Sequence, residues 1–334
     1  MLFKIFKTIL IPFNKLFSLI FYFFTGNYAA SYKPVDKENI RLNAAIFSDT
    51  HIDCSKMRSR KLGHGLSDCE KSKVPNDVWV TVGDDTDDGH EESWKCFSDV
   101  VSAHKPAKNN FIVLGNHDRR GKKDEGFDVT LPRFCKYSGA LAGKERDKVY
   151  FSETYNGYTF ISLAIEVEED FDYPTDEQVE WFKEEMEKAS KSGKPIFVFM
   201  HESLSISHGL PYTWCRRWDE NSLPDIYRSG CGPKSDEIES IMKQYKNVFY
   251  FSGHIHLGLV TKRTRRRLGF SNYETDENLH RINVPCFQFW NHHGVNMSGL
   301  GLQMEVYDDR VLFRPRSYTY SVWYPRFNKE IKLI

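Results

Sequence analysis

Five short apolar runs recur between residues 43 and 251, and each breaks off into a polar cluster. NAAIF (43–47) leads into Ser48-Asp49-Thr50-His51, DVWVTV (77–82) into Gly83-Asp84, and NNFIVL (109–114) into Gly115-Asn116-His117-Asp118. KPIFVFM (194–200) leads into His201-Glu202, and KNVFYF (246–251) into Ser252-Gly253-His254-Ile255-His256. Runs of this length and composition read as buried strands. Helical patterns fall between some of them. Residues 175–195 predict a helix with Thr175 as N-cap, Gln178 three residues on, and Gly193 and Pro195 as stop signals. Residues 235–247 predict another, with Ser235 as cap and Ile238, Ile241 and Met242 on one face. Strands alternating with helices imply βαβ units, whose functional residues gather beyond the carboxyl ends of the strands. YTFISLAI (158–165) reads as a further strand. GLQMEVYDDRVLFRPRSY (301–318) alternates about Asp308-Asp309, the sign of a hairpin that adds antiparallel strands to a mostly parallel sheet.

The first 30 residues break this pattern. They are almost wholly apolar and aromatic, with Lys4, Lys7 and Lys15 as their only charges. The uncharged stretch is somewhat shorter than the roughly 20 residues of a spanning helix. Three readings remain open: an export signal with Ala29-Ala30 near its cleavage point, an uncleaved anchor, or an interfacial helix. Membrane contact through this segment is expected over a buried core helix. Residues 31–42 then read as a polar, Pro-containing linker, and residues 43–334 as a single α/β domain.

The 334 residues include 46 basic and 46 acidic side chains. That balance argues against bulk electrostatic binding of nucleic acid. No feature implies a protein partner. Seven cysteines without a CxxC pair disfavour a zinc ribbon or a dense disulfide scaffold. Buried free thiols are expected, with a Cys215–Cys231 pair as the alternative in an exported domain.

Asp49, His51, Asp84, Asn116, His201, His254 and His256 would meet at the strand ends. Imidazoles, carboxylates and an amide oxygen without thiolate suit first-row divalent metals. Seven ligands exceed the need of one ion and suit two that share a bridging carboxylate, with Asp84 as the bridge. Of the four aspartates in GDDTDDG (83–89), only Asp84 is expected to touch metal.

The ordered motifs DxH (49–51), GDxxD (83–87), GNHD (115–118), His201 and GHxH (253–256) resemble the calcineurin-like metallophosphoesterases. The region after His201 is similar to their bacterial cyclic-nucleotide-phosphodiesterase-like branch. The resemblance implies a four-layer sandwich of mixed β-sheets flanked by helices. It implies two divalent metal ions (Mn, Fe or Zn), one held by Asp49, His51, Asp84 and His256, the other by Asp84, Asn116, His201 and His254. It also implies a phosphate-ester substrate, a mono- or diester attacked in line by a metal-bridging hydroxide, with His117 facing the leaving group and Asp118 orienting it. A catalytically silent metal-binding interaction module on the same fold is the alternative. Three further features are weaker. KRTRRR (262–267) is expected to be a solvated hairpin tip rather than an anion-binding patch. SHGLPYTWCRRW (207–218) is a candidate stacking wall or a packed loop, and for His292-His293 a surface position is expected over the alternative of an approach to the site.

Overall fold

The computed structural model describes residues 32–168, 172–210, 230–260, 271–288 and 290–334, together with residues 16, 20, 27 and 28. The expected N-terminal helix, the segment 262–267 and most of the loop 207–218 lie outside the described residues. Among the described residues no helix is long and apolar enough to cross a membrane.

In chain order the strands begin with β1 (Asn27–Tyr28), β2 (Leu42–Phe47), β3 (Asn76–Val82) and β4 (Ala107–Val113). They continue with β5 (Phe151–Tyr155), β6 (Tyr158–Ser162), β7 (Val167–Glu168), β8 (Asp172–Tyr173), β9 (Ile196–Phe199) and β10 (Val248–Ser252). The last are β11 (Tyr273–Asp276), β12 (Leu279–Asn283), β13 (Leu300–Val306), β14 (Arg310–Ser317), β15 (Val322–Trp323) and β16 (Lys329–Lys332). The helices are α1 (Lys56–Glu70), α2 (Glu91–Ser102), α3 (Phe127–Ala142), α4 (Asp176–Ser190) and α5 (Ser235–Lys243).

One sheet runs β1-β15-β14-β13-β2-β3-β4, with β16 on β14, and the other runs β11-β12-β10-β9-β6-β5. In the first, β2, β3 and β4 are parallel, while the expected hairpin of β13 and β14 adds antiparallel strands beside β2. In the second, β6, β9, β10 and β12 are parallel.

Period-two alternation decides what each strand face covers. Ala44 and Ile46 of β2 join Phe160, Phe197, Phe199 and Phe251 in the layer between the sheets. Ala45 and Phe47 turn the other way and pack on Leu62 and Leu66 of α1 and on Trp94 and Phe97 of α2. On the far side, Val198 and Tyr250 lie under Phe182 of α4 and Ile238 and Met242 of α5. The result is helices, sheet, sheet, helices: four layers, with both faces of the parallel strands covered.

Thr175 caps α4, its hydroxyl accepting from Gln178 N at 3.2 Å. Ser235 departs from expectation. It lies within α5 after a 3₁₀ turn, and its hydroxyl instead accepts from Ser205 N at 2.9 Å. The segment before β2 is not a free linker. Tyr32 is buried, and Val35 N donates to Glu305 Oε2 at 2.9 Å.

Cys69, Cys135, Cys231 and Cys286 are buried free thiols, as expected, while Cys215 lies outside the described residues. Cys54 and Cys96 overturn the expectation for themselves. Folding brings their Cα atoms within 5.4 Å, and they form a disulfide that ties the segment after His51 to α2.

Candidate functional site

The polar clusters follow β2, β3, β4, β9 and β10, so both sheets deliver them to one rim. Backbone bonds lock the loops together. Asp49 N donates to Gly83 O at 3.0 Å, His51 N to Asp84 O at 2.9 Å, and Gly253 N to His201 O at 2.9 Å. Five site residues hold left-handed backbone, Asp49, His51, Asp84, His254 and His256, with φ of 57°, 46°, 53°, 64° and 47°. Each such non-glycine residue costs roughly 1–3 kcal/mol and persists only where its surroundings over-determine it.

Gly83 is required by close approach. At φ +77°, a Cβ there would stand 2.6 Å from His201 Nδ1. Gly115 is required for the same reason, since a Cβ would fall 2.0 Å from Asp84 N.

Asp49, His51, Asp84 and His256 present ligand atoms all within 4.8 Å of one another. His256 Nε2 lies 3.1 Å from Asp49 Oδ1, and His51 Nε2 lies 3.7 Å from Asp84 Oδ2. Asp84 Oδ1 accepts from His117 N at 2.7 Å, which leaves Oδ2 toward the cluster. His201 Nε2 is 3.1 Å from that same Oδ2. His201 Nδ1–H donates to Val82 O at 2.7 Å, and this fixes the tautomer that aims a lone pair inward. His254 Nδ1 and Asn116 Oδ1 are 2.9 Å apart, and the His201 and His254 rings meet edge-on at 5.1 Å. All seven residues expected from the sequence therefore come together.

The donors fit a divalent ion. Asp49 is fully buried, yet neither of its oxygens is satisfied by a hydrogen bond, and His201 Nε2 is likewise unsatisfied. Buried polar atoms left this way are costly unless a cation or another partner meets them. The protons register the same need. Burial pushes Asp49 up, but His256 and His201 outweigh it and bring its pKa to about 2. His201 is lowered by burial and then raised by Asp84 to about 10. His256 is also raised well above its ordinary value, against burial, by Cys286 and Asp49. Positive charge belongs at this rim.

The four crowded aspartates divide their tasks. Asp84 faces the cluster. Asp85 is buried and accepts from Thr81 Oγ1 at 2.8 Å. Asp87 Oδ1 lies 3.0 Å from His51 Nδ1, and Asp88 Oδ1 accepts from His90 N at 3.0 Å.

Asp118 corrects the reading from sequence. It does not orient His117. Its carboxylate accepts from Thr86 N and Oγ1 at 2.8 Å each, from Gly115 N at 2.9 Å and from Asp85 N at 3.2 Å. It thus staples the loop after β3 to the loop after β4. His117 is held instead by its Nδ1, 2.6 Å from the Asp87 carbonyl.

The sequence also left three residues unnamed. Arg58 donates to His51 O at 2.7 Å and pairs with Asp87 at 2.8 Å and Asp53 at 3.2 Å. Its guanidinium lies 4.5 Å over Trp290, whose ring meets His51 edge-on at 5.1 Å. Arg120 Nη1 stands 2.9 Å from His117 Nδ1. Arg120 reaches His117 three residues back and Arg58 reaches His51 and Asp53 seven and five back, but arginines are too common after a turn for such spacing to mark them, and Trp290 arrives from across the fold. His292, expected at the surface, stacks on His256 with ring centroids 5.5 Å apart.

The profile of the family described as calcineurin-like phosphoesterase matches residues 42–258. No curated protein sequence matches. Among solved structures, a purple acid phosphatase from yellow lupin (Lupinus luteus) seeds is similar at 13% identity and TM-score 0.59, over 92% of this chain and 55% of that one. This chain therefore spans about half the length of the lupin protein. A dimetal phosphatase from Danio rerio aligns at 11% identity and TM-score 0.55, over 89% and 100% of the two chains. GAP50, described as the anchor in the inner membrane complex of Plasmodium, aligns at 13% and 0.55, over 88% and 89%. At these identities the likeness is one of fold.

Proposed function

We propose, from the premise that this chain belongs to the calcineurin-like phosphoesterase family, that it hydrolyses phosphate mono- or diesters with two divalent ions of Mn, Fe or Zn. Asp49, His51, Asp84 and His256 would hold one ion, and Asp84, Asn116, His201 and His254 the other. The observation behind this reading is the convergence of seven donors from two sheets around the unsatisfied oxygens of Asp49.

Two bound ions supply neutralisation of the phosphate oxygens and a water acidic enough to attack at neutral pH. The chain supplies the positioning. Asp84 is pinned through one oxygen, and the other would be left for the ions. His201 is fixed through Nδ1 by the Val82 carbonyl, so its Nε2 points into the site, and His51 Nδ1 lies 3.0 Å from Asp87 Oδ1 with its Nε2 toward Asp84. His117 Nδ1–H rests on the Asp87 carbonyl, and its Nε2 lies 3.9 Å from Asp84 Oδ2. From there Nε2 would face the leaving group of an in-line displacement, and it would assist departure as the imidazolium, with both ring nitrogens protonated. The Cys54–Cys96 disulfide and the apolar first 30 residues support a membrane-associated or exported protein, because disulfides persist in oxidising compartments.

The test is removal of metal by chelator and restoration with Mn²⁺, following bis-p-nitrophenyl phosphate turnover and bound metal per chain. Activity should vanish and return, and Asp84→Asn should lower it at least a hundredfold. Full turnover by Asp84→Asn removes the mechanism. Bound metal without turnover of any ester assigns the chain instead to a binding module on this fold.

A further inference from the structure

We infer that Arg120 makes the site selective for substrates whose leaving group is itself anionic, such as organic diphosphates; the inference rests on the phosphoesterase reading above. Two atoms compete for His117 Nδ1. The Asp87 carbonyl oxygen is 2.6 Å away and Arg120 Nη1 is 2.9 Å away. A carbonyl only accepts, so Nδ1 carries the proton and has no lone pair left for the guanidinium. Arg120 is exposed, and among the described residues no carboxylate pairs with it. Its neighbours differ. Arg58 is spent on Asp87 and Asp53, Arg119 reaches Glu202 at 3.2 Å, and Lys122 pairs with Glu92 at 2.9 Å.

Position separates Arg120 from an ordinary solvated arginine. It sits one imidazole's width outward from Asp84, behind the residue that faces the leaving group. A guanidinium carries a planar fork of donors that matches phosphate oxygens. A second phosphate departing past His117 would meet that fork, whereas a neutral alcohol would not. Hydrolysis of such a diphosphate adds one water across a P–O bond. The water oxygen bonds the attacked phosphorus, the bridging oxygen leaves with the bonding electrons on the other phosphate, and the protons pass to products and buffer.

The experiment compares the Mn²⁺-loaded full chain with Arg120→Gln and Arg120→Lys. It measures kcat/KM for ADP and for p-nitrophenyl phosphate, and calorimetric binding of inorganic pyrophosphate and orthophosphate. Loss of a charge-assisted contact lowers the ADP to p-nitrophenyl phosphate ratio about ten- to hundredfold in Arg120→Gln, mostly through KM, with partial recovery in Arg120→Lys. The pyrophosphate to orthophosphate affinity ratio falls by a similar factor. Ratios that move less than threefold overturn the assignment, as does an equal loss for every ligand. If the wild-type chain binds both anions but turns over no ester, the hydrolytic reading fails, and the binding ratio alone decides Arg120.

Discussion

Replacing Cys54 and Cys96 together by alanine opens a loop that the oxidised chain keeps closed even when unfolded. The two cysteines are 42 residues apart in sequence, and the enclosed segment holds α1, β3 and the Asp84 loop. Chain-entropy reasoning puts the closure of a loop of this length at about 4 kcal/mol of stability near 25 °C. Against a typical domain stability of about 5–15 kcal/mol, that is a large share. With a urea slope of about 3 kcal/mol per molar for a domain of this size, the unfolding midpoint should fall by about 1.3 M. Urea titration followed by tryptophan fluorescence, on the wild-type chain with and without reductant and on the double variant, gives the number directly. Reduced wild type and the double variant should agree, since both lose the same tether. A midpoint drop below about 0.3 M would refute the reasoning. It would mean that the unfolded chain keeps those ends near each other without the bond, or that the native fold is relieved by losing it.

Gly83→Ala should cost about 2–4 kcal/mol, from a left-handed backbone and a Cβ forced to 2.6–2.7 Å from the His201 ring. Thermal unfolding measures the cost and elemental analysis the lost metal, and a change under about 0.5 kcal/mol contradicts the close approach. Metal uptake should release protons. His201, raised to about 10 by Asp84 against burial, is protonated at pH 8 without an ion, and an ion needs its neutral form. Apparent affinity should therefore rise with pH, about tenfold per unit for each proton displaced, until pH passes about 10. A pH-stat titration with Mn²⁺ at pH 8 that shows no release contradicts it.

How much of this was legible in the sequence depended on where the chemistry was local. The five strand ends were readable because a buried run followed by aspartate, asparagine or histidine has few other uses. The hairpin of β13 and β14 and the cap at Thr175 were readable for the same reason, from patterns a few residues long. Helices α1 and α3 left no clear stripe, since α1 carries Gly63 and Gly65 and α3 carries Pro132, whereas α2 has one in Trp94, Phe97 and Val101 that the reading passed over. The Cys54–Cys96 pair has no spacing signature, and only the packing of α2 against the segment after His51 reveals it. Asp118 was misread because its role was carried over from the family resemblance. Consecutive side chains in a turn point apart, and Asp118 turned toward backbone amides instead.

The divided origin of the site has a developmental meaning. Asp49, His51, Asp84 and Asn116 are synthesised first and belong to one sheet, while His201, His254 and His256 come later from the other. A nascent chain that has emerged only as far as α4 offers two carboxylates, an amide and a single imidazole, a set that grips transition metals weakly. On the proposed two-ion reading, cation capture would be one of the last acts of maturation, after β10 has docked.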